Sequence, residues 1–477
     1  METPSQLSPD QAGQFERPSW RQRHKLANTV MAGGALVLVY LSYDSDRPFD
    51  VVFGLSLLIA AASIYPIYRW ARDMKHQYPI FEIFLATNLT TYALPMITES
   101  EVISRFSEDV VQKAAVAVTI FIFACMAGYY GTNARPKRTA FWTDDFFSQI
   151  RPQLLATGLA LGTAYILITN YFWSPPPGIN GILRAAFFGI TSSSIFILML
   201  LWGRDQISSQ HKVVVLLCIA IQFIVLSSTL ILRSGASLVL LSMIGYFFGR
   251  RKIPWIALVS VFLVIGMLHN GKFHMRGKYW DQDFRQSPEL AQLPDYYQEW
   301  FQAGLRGDPE SETANSSLIE RSSLIQMLCL VVDKSPDPRP FLGGETYGHI
   351  LGQFIPRILW PEKPRGHVST YTLSIHYGLQ DEHATQNTTI AFGMVPEAYA
   401  NFGLIGVTGL GLVIGLFYGA FTQWSLNSPL FSFAGMLIIL LTAWSFQTEL
   451  PLSAWLGSLS QAVVALLGIV FAFRRLF

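Results

Sequence analysis

Residues 213–232 read VVVLLCIAIQFIVLSSTLIL, twenty positions without a charge, held between Lys212 and Arg233. As a helix, about 20 apolar residues rise about 30 Å, the thickness of the hydrocarbon core of a bilayer. The run then breaks at Arg233-Ser234-Gly235-Ala236-Ser237, and apolar residues resume behind the break. Long uncharged run, short charged interruption, long uncharged run: repeated along the chain, this alternation decides the fold.

Working outward, the same reading gives helices near 26–43, 51–68, 80–98, 112–131, 154–173, 184–203, 212–232, 235–249, 255–270, 402–421, 430–448 and 453–472. The expected fold class is therefore an all-α polytopic membrane protein with about 12 transmembrane helices. Residues 1–25 form a leader, 26–270 carry nine helices, 271–401 form one large, partly helical external loop, and 402–477 carry three helices and a short tail. The first apolar run lacks a small-residue cleavage site and follows a long polar leader, so it reads as a retained helix.

Composition agrees. Of 477 residues, 51% are hydrophobic and 14% charged, with a mean hydropathy of +0.34, which suits a multi-pass membrane protein. A net charge of +2 without a long Lys/Arg run gives no footprint for nucleic acid. Cys125 and Cys218 fall inside apolar runs and Cys329 is alone in the loop, which leaves no disulfide framework. No P-loop, GxSxG or HExxH pattern occurs, no Asp-x-Asp pair reads as the metal holder of a nucleotide-sugar enzyme, and no His/Cys/carboxylate cluster calls for a metal; the expected cofactor is none.

Basic residues orient the helices. Arg17, Arg21, Arg23 and Lys25 precede the first run. Arg69, Arg72 and Lys75 fill the second loop, Arg135, Lys137, Arg138 and Arg151 the fourth, Arg204 and Lys212 the sixth, and Arg250, Arg251 and Lys252 the eighth. The first and third loops carry Asp44, Asp46 and Asp50, then Glu99, Glu101, Glu108 and Asp109, and Arg474 and Arg475 close the chain. Both termini are expected in the cytoplasm and the large loop outside.

Four features of this frame bear on chemistry. Arg233 beside Ser234, Gly235 and Ser237 places a cation and free N–H groups at a helix start, either an anion seat or a snorkelling arginine at a sharp turn. Lys272, His274, Arg276 and Lys278 leave the membrane together, for lipid headgroups, acidic side chains or a phosphate. Tyr296, Tyr297, Trp300 and Phe301 follow, as sugar-stacking rings or interfacial anchors. The densest stretch runs Gly343-Gly344-Glu345-Thr346-Tyr347-Gly348-His349, then Ile355-Pro356-Arg357, then Trp360-Pro361-Glu362-Lys363-Pro364-Arg365. Ile350, Leu351, Phe354, Ile355, Ile358 and Leu359 repeat at helical spacing, as a surface helix kinked at Pro356 and ended at Pro361. Arg357, Lys363 and Arg365 offer cations, Glu345 and His349 a proton acceptor, and Glu397-Ala398-Tyr399-Ala400-Asn401-Phe402-Gly403 leads back into the membrane. Glu345 equally suits the cap of a helix. Gly411, Gly415 and Gly419 repeat every fourth residue, a spacing that lets another helix approach.

The helix count, the dominant external loop before the last helices, the Arg233-Ser234-Gly235 break and the Gly343–Pro364 and Glu397–Gly403 stretches together resemble the Wzy-type O-antigen polymerases, within the O-antigen polymerase/ligase superfamily of GT-C-like membrane fold. That resemblance implies metal-independent, inverting glycosyl transfer at the outer face of a bacterial inner membrane. A growing glycan leaves undecaprenyl diphosphate and joins a fresh lipid-linked repeat unit, a base activates the acceptor hydroxyl, and arginines hold the diphosphate. Carried onto this chain, the base candidates are Glu345, His349 and Glu397. The diphosphate candidates are Arg233, Arg276, Arg357, Lys363 and Arg365, and the sugar-binding candidates Tyr347, Trp360 and Tyr399. The implied partners are undecaprenyl-diphosphate-linked oligosaccharides, membrane lipids and a chain-length-determining co-polymerase. The ligase members use a loop histidine; here Gln386-Asn387-Thr388 stands at that place, which weighs against transfer of a finished glycan to lipid A core or protein. A polysaccharide or lipid transporter is the reading of another class, but no internal repeat is evident, and Glu82 is the acidic residue well within an apolar run.

The topology has a direct check. Cysteines introduced at Ser311 and Ser425 are expected to label from outside and from inside, respectively. Labelling of residue 425 in intact cells by an impermeant reagent would overturn the orientation.

Overall fold

The computed structural model describes residues 19–43, 49–74, 78–133, 151–279, 288–306, 323–355, 359–360, 362–364, 366–387, 389–425 and 433–476. Among these residues every regular element is a helix and no strand occurs. Each of the twelve apolar runs overlaps a helix of the described residues. Among the described residues, eight helical segments are long and apolar enough to cross a membrane: Val51–Asp73, Ile80–Ile97, Glu108–Thr132, Pro152–Tyr171, Ala186–Gly203, Ser209–Ser227, Trp255–Lys272 and Met394–Trp424. The helices Trp20–Tyr43, Leu232–Arg250, Phe433–Trp444 and Leu452–Leu476 take the other four runs without meeting that standard over their described residues. All three cysteines are buried and free.

The chain divides into two units. The first comprises residues 1–148, 319–355 and 362–459, and the second residues 149–318, 356–361 and 460–477.

In the first unit the glycine spacing sets the packing. A Cβ on Gly411 would stand 2.7 Å from the Phe121 carbonyl oxygen, and one on Gly128 would stand 2.5 Å from that of Leu412; Gly415 and Gly419 face Cys125 and Thr132 just as closely. The helices Glu108–Asn133 and Met394–Ser425 thus touch backbone to backbone, where helix association in lipid gains most from close van der Waals contact. Pro95 shapes the Ile80–Ile97 segment, whose residues Leu89–Ala93 form a π-helical turn. Proline has no amide hydrogen to return to the Thr91 carbonyl four residues back. The Leu324 N–H donates to that carbonyl at 2.9 Å, tying the start of the loop helix Ile325–Lys334 to the membrane helix.

Two sequence expectations change here. The helix expected from residue 402 begins at Met394 and bends at Phe402 and Gly403, Gly403 taking a φ of 59° that its missing side chain permits. The polar residues Glu397 and Asn401, which argue for a loop in sequence, are helical because buried partners satisfy them. The surface helix expected over 350–359 is one turn, Ile350–Gln353; residues 356–358 and 361 lie outside the described residues. The apolar stretch 324–332, too short to cross a membrane and read from the sequence as a core helix of the loop, occupies the helix Ile325–Lys334. Its Val331 packs with Leu373, Tyr377, Phe392 and Ala400 in a small core.

The second unit repeats the close-packing device. Gly245 meets the Phe196 carbonyl (2.6 Å for an added Cβ) and Gly203 the Arg250 amide (2.7 Å), joining Pro177–Gly203 to Leu232–Arg250. Gly271 sits equally close to the Trp300 carbonyl, so Trp255–Tyr279 and Leu293–Arg306 form a tight pair. The break expected at Arg233–Gly235 lies slightly earlier. Ser209–Ser227 ends, Leu230 turns through φ 59°, and Leu232–Arg250 starts with Arg233 already in its first turn.

Replacing Gly415 by Leu is expected to destabilise the protein by roughly 3 kcal/mol or more, since the collision is with backbone rather than a movable side chain. Thermal unfolding in detergent checks this, with Gly409→Leu as the control, since the space at Gly409 is open.

Candidate functional site

The first unit gathers the loop motif Gly343–His349, the helix start Met394–Asn401 and the beginning of Leu452–Leu476. Gly343 and Gly344 take φ of 58° and 99°, a conformation that favours glycine, and so turn the chain into the short helix Glu345–Gly348. Gly344 is also tight, since a Cβ there would lie 3.0 Å from the Phe402 ring. Backbone bonds Leu342 N–H to Ala400 O (2.9 Å) and Gly343 N–H to Asn401 O (3.2 Å) dock the turn on the helix.

Asn401 is the hub of that docking. Its Oδ1 accepts from Gly344 N–H at 3.0 Å, and its Nδ2 donates to Thr346 Oγ1 and Glu397 O, both at 2.8 Å. Ser369 Oγ donates to Thr346 O (3.0 Å) and shares a 2.6 Å hydroxyl contact with Ser453. Thr346, Ser369, Asn401, Ser453 and Glu397 are all completely buried.

Glu397 is the ionisable member of this network. Its Oε2 accepts the Leu452 N–H at 2.6 Å. That amide belongs to the first turn of a helix, where N–H groups lack intrahelical partners and the dipole favours an anion. Oε1 is buried with no donor in hydrogen-bonding geometry, while the Thr346 hydroxyl also acts on the carboxyl. An apolar cavity of about 290 Å³ in the same unit is lined by Tyr347, Phe402, Ile405, Gly406, Gly409, Leu410, Val413 and Leu452, and not by Glu397 itself. Leu452 contributes its amide to Glu397 and its side chain to the cavity wall, and Gly406 faces the carbonyl of Ala398, the neighbour of Glu397. The Tyr347 hydroxyl is shut away from solvent without a partner. Burial, and then the charge of Glu397, raise its ionisation above the ordinary phenol range, so it stays a neutral donor.

The remaining candidates are placed as follows. Glu345 is exposed and opens the 345–348 turn; His349 closes that turn, partly exposed. Tyr399 packs edge-on against Phe341, ring centres 6.2 Å apart, in the Val331–Leu373–Tyr377 core. Lys363 is buried, and its ammonium donates to Gln353 O (2.7 Å) and Ile355 O (2.8 Å), holding the end of the 350–353 turn. Arg357 and Arg365 lie outside the described residues. Trp360, in the second unit, is 40% exposed.

In the second unit, the Arg233 side chain also lies outside the described residues. Arg276 Nη2 donates to Leu230 O at 3.2 Å. Tyr296 Oη donates to Ser228 O (3.0 Å), Tyr297 Oη to Ile224 O (2.6 Å) and Trp300 Nε1 to Leu268 O (2.6 Å). Arg276, Tyr296 and Tyr297 therefore cap carbonyls at and just beyond the end of Ser209–Ser227, while Trp300 reaches a carbonyl within Trp255–Tyr279. Lys278 Nζ contacts both oxygens of Glu299 (2.7 and 2.9 Å), Tyr279 Oη donates to one at 2.9 Å, and His274 Nε2 stands 3.5 Å from the other. Burial alone would raise the Glu299 carboxyl, but these donors outweigh it and hold it below its ordinary value.

Among the described residues no cluster of three metal-ligating side chains occurs. Sequence reasoning named Glu397 but missed Asn401, Thr346, Ser369 and the Leu452 amide; Pro451, directly ahead of a long apolar helix, is the signal that could have found the last. A family model described as a domain of unknown function (DUF8712) matches residues 166–444, more than half of the chain. That span holds Glu345, Tyr347, Glu397 and Asn401 and stops short of Leu452. No curated protein and no solved structure matches the chain.

The Glu299 cluster has a signed pH dependence. A lowered folded-state carboxyl contributes stability that is present above its unfolded value, near pH 4, and is lost as pH falls through the folded value. Glu299→Gln is expected to flatten the fall in unfolding temperature below about pH 4. An unchanged profile would remove Glu299 from that dependence.

Proposed function

The chain belongs to the DUF8712 family, and for it we propose the polymerisation of undecaprenyl-diphosphate-linked oligosaccharide repeat units by metal-independent inverting glycosyl transfer. The protein works at the outer face of a bacterial inner membrane, with twelve spans and both termini cytoplasmic.

The observation that carries this reading is Glu397: a completely buried carboxyl group with one oxygen fixed by the Leu452 amide, no donor in hydrogen-bonding geometry at the other, and the Thr346 hydroxyl acting on the group. A general base needs an oxygen that is held in place yet uncommitted, within about 3 Å of the hydroxyl it serves or one water away. Glu397 offers that oxygen, whereas Glu345 is exposed. In the reaction the Glu397 carboxylate takes the acceptor hydroxyl proton and the acceptor oxygen bonds to the anomeric carbon. The bond from that carbon to the diphosphate oxygen breaks, and the electron pair leaves with the diphosphate. The cavity accommodates part of the lipid chain.

Glu397→Gln keeps an oxygen for the Leu452 amide and removes the base. It is expected to slow repeat-unit addition by about 10²- to 10⁴-fold, the usual contribution of a general base. Glycan ladders from cells making equal amounts of each protein, with unfolding temperature measured alongside, give the readout. Ladders of normal length and rate would overturn the assignment.

A further inference from the structure

We propose that residues 350–355 form a hook that dips into the hydrocarbon of the bilayer and moors the external loop there, with Leu351, Phe354 and Ile355 against lipid chains. The surface lies outside the Glu397 network, and the proposal does not depend on glycosyl transfer.

The stretch Ile350-Leu351-Gly352-Gln353-Phe354-Ile355 carries no charge. Leu351 is 79% exposed, Phe354 47% and Ile355 40%, so three large apolar side chains leave the protein surface together. The polar side chain of the stretch, Gln353, is buried instead. It meets Gly457, where an added Cβ would stand 2.9 Å from the Gln353 Cβ. Gly457 is the sixth residue of Leu452–Leu476, within the apolar part Leu452–Val464, so the contact sits about 7.5 Å beyond the helix start. The turn is thus pressed against the flank of an apolar helix and not perched on its end.

The backbone suits that depth. In hydrocarbon no water completes a main-chain hydrogen bond, so an irregular segment needs protein groups to do it. The N–H groups of Gln353, Phe354 and Ile355 donate to the carbonyls of His349, Leu351 and Gly352, each at 3.3 Å. The carbonyls of Gln353 and Ile355 accept from the buried Lys363 ammonium at 2.7 and 2.8 Å. In water these two carbonyls would need no such donor. Apolar side chains turned outward over a main chain supplied from within are the arrangement that lipid selects.

Fluorescence quenching of the full-length protein in lipid nanodiscs tests the hook. The three native cysteines are buried, so a small fluorophore attached before reconstitution to Leu351→Cys or Phe354→Cys reports the introduced position. Glu382→Cys, at an exposed residue of the same unit, is the aqueous control. Dissolved iodide is expected to quench the labels at 351 and 354 roughly tenfold less than the label at 382, because an ion is excluded from hydrocarbon. A nitroxide on a phospholipid acyl chain is expected to quench the first two and spare the third. Equal iodide quenching at all three positions overturns the proposal. Protection from iodide without quenching by the nitroxide lipid overturns it too, since protein and not lipid would then cover the turn. Lys363→Met, combined with Phe354→Cys, removes the donor to both carbonyls and is expected to raise iodide quenching at 354 toward the value at 382. Undiminished protection in that variant overturns the part assigned to Lys363.

Discussion

A carboxylate sealed inside a membrane protein is tolerable only if its surroundings are built for it, and the contact from the Leu452 amide to Glu397 Oε2 is the constraint around which the first unit is organised. The donor is an amide at a helix start, one of the few backbone groups in a long apolar helix still without a partner. To bring the carboxylate there, the chain must be helical at Met394–Asn401, although that segment carries two polar residues at membrane entry. It must then bend at Gly403 so that the helix can continue along Glu108–Asn133. Asn401 stabilises both halves of this arrangement, accepting from the Gly344 turn and donating to Thr346 and Glu397. Removal of that side-chain amide would leave several buried groups unmet at once.

How far sequence reading reached depended on whether a residue's partner is itself written in the sequence. The apolar runs, the glycines at 411, 415 and 419 and the loop helix at Ile325–Lys334 were legible because they follow from spacing and side-chain size. The hydrogen-bond hub was not: Thr346, Ser369 and Asn401 look like ordinary loop polarity until the fold removes water from around them. Leu452 was hidden altogether, since its contribution to the site is an amide that every residue except proline possesses.

The same point explains the second unit. Lys272, His274, Arg276 and Lys278 read as a cationic patch, and Tyr296, Tyr297 and Trp300 as a stacking surface. In the structure Arg276 and those three aromatic side chains donate to main-chain carbonyls around Ile224–Leu230 and Leu268, and Lys278 and His274 face Glu299. A helix ending near hydrocarbon exposes carbonyls that lipid cannot satisfy, so long side chains with a donor at the tip are drawn to it. Tyrosine and tryptophan suit that position because the ring packs while the tip reaches.

The bond between the Thr91 carbonyl and the Leu324 amide joins residues 233 positions apart, and its consequence lies in the order of synthesis. Ribosomal elongation delivers the Ile80–Ile97 helix to the bilayer long before residue 324 exists. Because Pro95 can offer that carbonyl no amide of its own, this native contact waits for the loop to be translated and folded back. Maturation of an early membrane helix is thereby timed by a segment made in the second half of the chain.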